Sequence, residues 1–528
     1  MNQAFLIDNR KCIGCHACST ACKAENEVPL GVHRTWVKYV EKGVFPDTRR
    51  YFQVTRCNHC AKPPCVPICP TTAMYRRDDG IVEFDSQRCI GCKACLQACP
   101  YDAIHIDPES GTAAKCHFCA HRVDAGLEPA CVIVCPVHAI ISGDLDEPQS
   151  EIARLLSTQT VAVRKPEQGT RPKLFYIEAE ASAISPGFAT QQSAQLWSEA
   201  PAWGPSDWRG PIQTAPGRMA DALLRSARGS GGPQGPLLGG APRETYNVPH
   251  RIPWHWQVPA YLVTKALGSG IFLIAAAGLA LGLLPATALF TTAAPLAALL
   301  FVALTGALLV GDLDRPERFW TILTRPQWRS WLTRGAFILA AYGLLLAIVL
   351  LAKMLGQDGV AAQLRWPGVI LAVLSAVYTA FLFAQAEGRD LWQSPLLSAH
   401  LLVQAVMAGA AGLLLLGLFV ELPVDSLPVL VWTFGLALAA NLLLTVGGEF
   451  AVPHASAVAS AAARMITHGR YAAHYRGSLA GGLLLPLAAI IAWPATPAVH
   501  LIASLLCLGG LLAYEWAFVF APQQIPNS

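Results

Sequence analysis

Cys89, Cys92, Cys95 and Cys99 stand in the order C-x2-C-x2-C-x3-C, with Pro100 immediately after. Thiolates at i, i+3 and i+6 wrap a tight loop around one [4Fe–4S] cube, and the fourth, a helical turn further on, faces away toward a neighbouring cube. Zinc sites favour two separated C-x2-C knuckles and four ligands in all, so electron-carrying iron–sulfur chemistry is the better match. The run recurs. Cys12, Cys15, Cys18 and Cys22 repeat its spacing; Cys57, Cys60, Cys65 and Cys69 have a longer second gap; Cys116, Cys119, Cys131 and Cys135 carry an insertion between the second and third thiols. Pro70, Pro100 and Pro136 each follow the last cysteine of a run. All but one of the 17 cysteines are thereby used, which is the ligand number of four cubes.

The elements that must position these thiols are short. Gly80–Asp85, Ala103–Asp107 and Ala139–Ile141 read as strands between the runs, and Lys173–Ile177 as a last strand packing on the same unit. The rhythm of strand, cluster loop, helix and strand predicts an α+β unit of two ferredoxin-like halves in tandem over residues 1–180. So little apolar surface remains there that ligation itself must supply folding energy. Residues 181–250 read as a linker: Pro201–Arg243 is rich in Pro, Gly and Ser around Gly229–Pro233. Its Trp197, Trp203 and Trp208 are either docking aromatics or scattered loop residues.

These four runs resemble the electron-transfer subunit of the complex iron–sulfur molybdoenzymes, which include the dimethyl sulfoxide and polysulfide reductases. The resemblance covers residue 5 to about residue 180. It implies that the first run pairs with the fourth and the second with the third. One cube would then be held by Cys12, Cys15, Cys18 and Cys135, and its neighbour by Cys116, Cys119, Cys131 and Cys22. A third would be held by Cys57, Cys60, Cys65 and Cys99, and the fourth by Cys89, Cys92, Cys95 and Cys69.

The remainder is apolar. Hydrophobic residues make up 53% of the chain and charged residues only 14%, against about 25% charged in a soluble protein, and the imbalance lies beyond residue 250. Runs of spanning length fall at about 259–284, 291–311, 334–354, 367–386, 397–420, 427–450, 478–493 and 497–520. Residues 251–522 are therefore read as an all-α membrane domain of eight helices. With the N-terminus inside, the inner loops hold Arg315, Arg318, Arg325, Arg329, Arg334, Arg389, Arg464, Arg470 and Arg476. The outer loops hold only Lys353 and Arg365. That bias places the iron–sulfur unit on the cytoplasmic side of the inner membrane, a reducing compartment that suits free thiols. Ala4–Ile7 is too short for the apolar region of an export signal, and neither Arg49-Arg50 nor Arg76-Arg77 precedes one. The net charge of +4 is too small to argue for nucleic acid as a partner.

Pro253–Trp256, Asp312–Pro316, Ser330–Arg334, Tyr378–Ala380 and Gly477–Gly481 with Pro486 resemble the NrfD-type anchor of polysulfide reductase. The resemblance implies eight spans, no haem, and exchange of electrons with a membrane quinone or quinol. Ionisable and polar groups inside a bilayer are costly and mark function. Tyr261, Tyr378 and His400 are candidates for hydrogen bonds to the quinone carbonyls, and Asp312 and Glu449 for a proton path. Each has a plainer reading. Asp312 could brace Arg315 or Arg334, and His400 could sit among headgroups. Lys265 could snorkel to the interface, Glu515 could be structural, and Trp254 and Trp256 could form an aromatic belt. Cys507 reads as packing.

No phosphate-loop fingerprint follows a strand, and no cysteine is left to ligate molybdenum, so the terminal substrate's site belongs on a partner chain. The expected function is the electron-transfer and quinone-reactive anchor subunit of a respiratory oxidoreductase. It would link a cytoplasmic molybdopterin catalytic subunit to the membrane quinone pool. Alternatives are the equivalent module of a nickel–iron hydrogenase, or an anchor with no quinone site of its own.

Overall fold

The structure, a computed structural model, describes residues 1–43, 46–185, 189–191 and 241–528. Trp197, Trp203, Trp208 and the Gly229–Pro233 stretch lie outside the described residues.

In the N-terminal unit, strand β1 (Gln3–Asp8) is the axis. It pairs antiparallel with Ile140–Asp144, just after the fourth cysteine run, and parallel with Leu174–Ile177, which Val161–Ala162 borders. Alternation divides its side chains. Phe5 and Ile7 join the core around the thiols, while Ala4 and Leu6 pack with Ile152 of the helix Glu151–Thr158. The long hairpin β2 (Thr35–Lys42) and β3 (Arg49–Arg56) forms a second sheet. Two pieces of the stretch expected to be linker are ordered onto it. Arg243–Tyr246 pairs with β2, and Thr190–Gln191 pairs with Arg243–Tyr246. Lys38 Nζ reinforces the attachment at 3.1 Å from a Glu244 carboxylate oxygen. Two small hairpins, Met74–Arg76 with Val82–Phe84 and Ile104–Ile106 with Ala113–Lys115, complete the α+β unit.

Beyond residue 250 the chain is helical, with eight helices long and apolar enough to cross a membrane: Gln257–Ala280, Leu289–Gly311, Trp331–Met354, Arg365–Gln385, Leu397–Leu416, Val424–Phe450, Ala472–Ala492 and Pro497–Gln524. The first and fifth are the central ones, two-thirds buried over their apolar windows. They touch backbone to backbone at Gly270 and Gly409, where small residues let helices approach as they do in bilayers generally. A Cβ added at Gly270 would stand 1.7 Å from the Ala405 carbonyl oxygen. Gly270→Val should therefore lower stability by at least about 3 kcal/mol, the upper end of overpacking costs, read as a fall in thermal midpoint in detergent. An unchanged midpoint would mean that the two helices do not meet there. Large apolar side chains such as Leu300, Leu344, Phe419 and Leu443 are exposed on the outside of the bundle, where lipid would cover them.

The two units share one continuous apolar core. It runs from Ile68, Ala94 and Ala98 in the cysteine loops through Trp254, Phe383 and Trp392 to Phe518. Trp254 is thus no lipid-facing belt residue. It is 5% exposed, stacks on Trp392 with ring centroids 5.4 Å apart, and donates from Nε1 to the Cys92 carbonyl at 3.1 Å. Trp256 remains exposed. Residues 525–528 fold back into the same seam. The Asn527 amide donates to Asp102 at 2.6 Å, and its side chain donates to the Gly388 carbonyl at 2.8 Å.

Candidate cluster chain and membrane redox site

The cysteine loops owe their shape to left-handed backbone. In the two runs that read Cys-Ile-Gly-Cys-x-Ala-Cys, Gly14 and Gly91 have φ of 70° and 67°, and His16 and Lys93 both have φ of 61°. Non-glycine residues hold this conformation only where their surroundings impose it, commonly at ligand clamps. The next residue starts a helix, Ala17–Glu25 or Ala94–Ala98, which carries the last thiol of the run away from the loop.

The thiols gather across runs. Cys12, Cys15, Cys18 and Cys135 line one hollow, Cys22, Cys116, Cys119 and Cys131 a second, and Cys69, Cys89, Cys92 and Cys95 a third. Cys60 and Cys65 have Cys57 and Cys99 among their electrostatic neighbours, which makes a fourth set. Among the described residues, no three His, Cys, Asp or Glu side chains converge tightly enough to hold a single metal ion. Burial pushes the Cys18 thiol up to about 11 and Cys22 to about 12. Cluster loading must displace those protons. Backbone N–H groups already point at sulfur: Gly91 and Ala113 donate to Cys89 Sγ, both at 3.4 Å, and Ala139 donates to Cys135 Sγ at 3.2 Å.

The four sets adjoin one another in series: Cys18 of the first has Cys131 of the second as a neighbour. Cys116 has Cys57 as an electrostatic neighbour, and Cys95 has Cys65. At one end Cys15 is exposed, and Ile13, Ile133 and Val134 are exposed beside it. At the other end, the membrane domain grips the loops of the Cys69, Cys89, Cys92 and Cys95 set. Arg318 Nη1 donates to the Cys89 carbonyl at 3.1 Å, Gln327 N and Thr333 Oγ1 donate to the Pro70 carbonyl at 2.9 and 3.2 Å, and Ser330 Oγ donates to the Ile68 carbonyl at 2.7 Å. Asp312 belongs to this seam. Lys93 Nζ lies 3.6 Å from it and His255 Nδ1 3.5 Å, so it does not brace Arg315 or Arg334 as its plainer reading had it. Arg315 donates to the Ser110 carbonyl and Arg389 to Gln97. Part of the basic bias of the loops read as inner therefore serves docking.

Below the seam, the bundle encloses a polar region that draws the other candidates together. Lys265 is 2% exposed and does not snorkel. Its Nζ donates to the Ala376 carbonyl at 3.0 Å and to Thr379 Oγ1 at 2.6 Å, and it lies 5.0 Å from the Tyr378 ring centroid. Tyr261 and Tyr378 also interact with Thr379. Glu515, 2% exposed, is the acidic neighbour of Lys265, and Gln404 is another of its neighbours. Gln404 Nε2 is 3.4 Å from His400 Nε2, which is 3.3 Å from Thr445 Oγ1. His400 is thus inside the bundle, 1% exposed, rather than among headgroups. Tyr514 stands between Glu515 and Glu449 as their shared neighbour, and Glu449 accepts from Ser394 Oγ at 3.2 Å. A π-helical stretch, Leu444–Phe450, presents both Thr445 and Glu449, a distortion common at functional sites. One carboxylate oxygen of Glu515 and the Tyr514 hydroxyl are buried without a hydrogen-bond partner among the described residues, which leaves capacity for a bound polar molecule. Cys507 is fully buried among apolar side chains.

Lys265 and Glu515 are the buried charged residues of this region that sequence reasoning set aside. Tyr261, Lys265 and Ser269 follow one another at i, i+4 spacing on one helix face, a signal that separates a buried lysine from a snorkelling one.

A 4Fe-4S dicluster domain model matches residues 48–145, and a polysulphide reductase NrfD model matches residues 244–527. A tetrathionate reductase subunit of Salmonella typhimurium is 46% identical over 200 residues, 37% of this chain and 80% of that protein. A polysulfide reductase polypeptide of Wolinella succinogenes is 41% identical over 185 residues, 34% of this chain and 96% of that protein. A putative dimethyl sulfoxide reductase iron-sulfur subunit of Halobacterium salinarum is 37% identical over 227 residues, 37% of this chain and 86% of that protein.

Proposed function

The protein belongs to the polysulphide reductase NrfD family and carries an iron–sulfur electron-transfer unit fused to that membrane anchor, and from that premise we propose that it conducts electrons between a membrane quinone and a molybdopterin-containing catalytic partner. The supporting observation is the series of four cysteine sets that runs from the exposed Cys15 to loops gripped by the membrane domain. Clusters of [4Fe–4S] type, one on each set, supply reversible one-electron storage. The chain's own residues fix their spacing, keep water from most of the thiols, and tune potentials by burial and hydrogen bonds to sulfur.

At the membrane end, Lys265, Tyr261, Tyr378 and His400 offer hydrogen-bond donors to a quinone. Oxidation of a quinol releases two protons with its two electrons, and reduction takes them up. Glu515, Tyr514 and Glu449 form a file of proton carriers leading to Ser394, in the loop between the fourth and fifth spans. At the distal end, the exposed apolar residues around Cys15 are the docking face for the partner. Six inner-loop arginines, namely Arg325, Arg329, Arg334, Arg464, Arg470 and Arg476, remain outside the docking contacts described above. They outnumber Lys353 and Arg365, which supports a cytoplasmic iron–sulfur unit.

The test is the metal content of the native complex purified from membranes, with partner chains identified by mass. Molybdenum or tungsten beside about sixteen irons per copy of this chain, the content of four cubes, is the expected result. Nickel in place of either would move the module to hydrogen metabolism and overturn the molybdopterin partner.

A further inference from the structure

Arg56 ends strand β3, immediately before Cys57, and has no exposed surface. Its guanidinium lies 4.5 Å above the Phe5 ring, and Nη1 donates to Cys131 Sγ at 3.0 Å. Nε and Nη2 have no hydrogen-bond partner among the described residues, and no carboxylate among those residues forms an ion pair with it. A buried cation without a counter-charge is among the most expensive features a fold can carry, so something anionic must face it. Arg56 lines the hollow bounded by Cys22, Cys116, Cys119 and Cys131, and its other acidic neighbour is Cys18 of the adjoining set. The thiolates of a loaded cluster are the counter-charge that this arrangement provides.

The other sets differ. Lys115 and Lys173, the buried cationic neighbours of the Cys57, Cys60, Cys65 and Cys99 set, donate to the backbone carbonyls of Val82, Cys116 and Gly80 and not to sulfur. Lys93 lines the hollow of Cys69, Cys89, Cys92 and Cys95, but Asp312 and Asp314 stand 3.6 and 3.4 Å from its ammonium and offset it. The hollow of Cys12, Cys15, Cys18 and Cys135 has no Lys, Arg, Asp or Glu in its lining. The Arg56 hollow instead gathers a second cation, Arg34, and a neutral donor, Asn26, whose Nδ2 is 3.7 Å from both Cys22 Sγ and Cys119 Sγ. Positive charge and hydrogen bonds to sulfur favour the reduced, more negative state of a cluster, and so raise its potential.

We propose that Arg56 is a potential-setting residue that makes the cluster on Cys22, Cys116, Cys119 and Cys131 the highest-potential member of the chain. An electron arriving from the neighbouring cluster on either side comes to rest there before it moves on. The inference rests on the four-cluster reading of the cysteine runs, and iron counting of the wild-type protein tests that reading separately.

The experiment is a redox titration followed by electron paramagnetic resonance on the full chain in detergent. Arg56→Met keeps the volume of the side chain and leaves no buried polar group unpaired. With about sixteen irons retained, it should lower one midpoint so that the reduced-to-oxidised ratio of that cluster at fixed ambient potential falls at least tenfold, about 59 mV for one electron. The other midpoints should move far less. Retained iron with all four midpoints unchanged would overturn the proposal. Should Arg56→Met lose the cluster, the wild-type protein labelled with 15N-arginine decides. Pulsed measurements should show guanidinium nitrogen coupled to the cluster that reduces first, and coupling confined to a cluster that reduces later would overturn the assignment.

Discussion

Cys95→Ala should remove one cluster and isolate the rest from the membrane. Cys95 is buried in the set whose loops the membrane domain holds, with Cys69, Cys89 and Cys92 around the same hollow. Iron should fall from about sixteen to about twelve per chain, one cube's worth, while the membrane domain still inserts. Reduction of the surviving clusters by dithionite should persist, because Cys15 is exposed at the far end. Exchange of electrons between those clusters and a quinone analogue should drop to the assay's background, since the nearest remaining carrier lies one position further from the bundle. A variant that loses four irons yet exchanges with quinone at the wild-type rate would place the quinone's entry point elsewhere along the chain.

The second large effect is expected from Lys265→Met, which keeps an unbranched side chain one heavy atom shorter and removes its charge and donors. Lys265 joins the first span to Ala376 and Thr379 of the fourth and is the cationic neighbour of Glu515. If it donates to a quinone oxygen, its loss should slow quinone-coupled cluster oxidation on the order of a hundredfold, the lower range for a positioned proton donor. Tyr378→Phe removes only a hydroxyl, so the loss there should be about tenfold, the worth of one hydrogen bond. Iron content and dithionite reduction should stay at wild-type levels in both. Equal rates in wild type and Lys265→Met would remove Lys265 from the site and assign it to helix packing alone.

The parts of the fold that depend on covalent spacing were legible in the sequence. The thiols of the Cys12 and Cys89 runs dictate the same loop, because three ligands to one cube leave the backbone little choice, and the structure gives them matching φ angles at Gly14 and Gly91 and at His16 and Lys93. Eight apolar stretches likewise appear as eight helices long and apolar enough to cross a membrane, because length and hydropathy alone carry that reading. What local pattern could not reveal are contacts made at long range. Trp254 looks like a belt aromatic beside Trp256, and only its stacking on Trp392, 138 positions later, turns it inward. Asp312 reads as a brace for nearby arginines, whereas its cationic neighbour, Lys93, comes from a cysteine loop in the other unit. Glu515 lies late in a long helix, and its burial depends on Gln404 and Lys265 of two other helices. Arg56 is one basic residue at a strand end until the fold closes Phe5 and Cys131 around it.

The central claim is that one polypeptide carries electrons from membrane to distal surface. Its most direct test is stopped-flow reoxidation of the dithionite-reduced full-length protein, held in lipid vesicles, by a quinone analogue, with iron counted on the same sample. The account predicts about sixteen irons, four cubes' worth, and reoxidation of all of them at one quinone-dependent rate that Lys265→Met slows. Sixteen irons that stay reduced in the presence of excess quinone, while a soluble oxidant at the exposed end still discharges them, would contradict it.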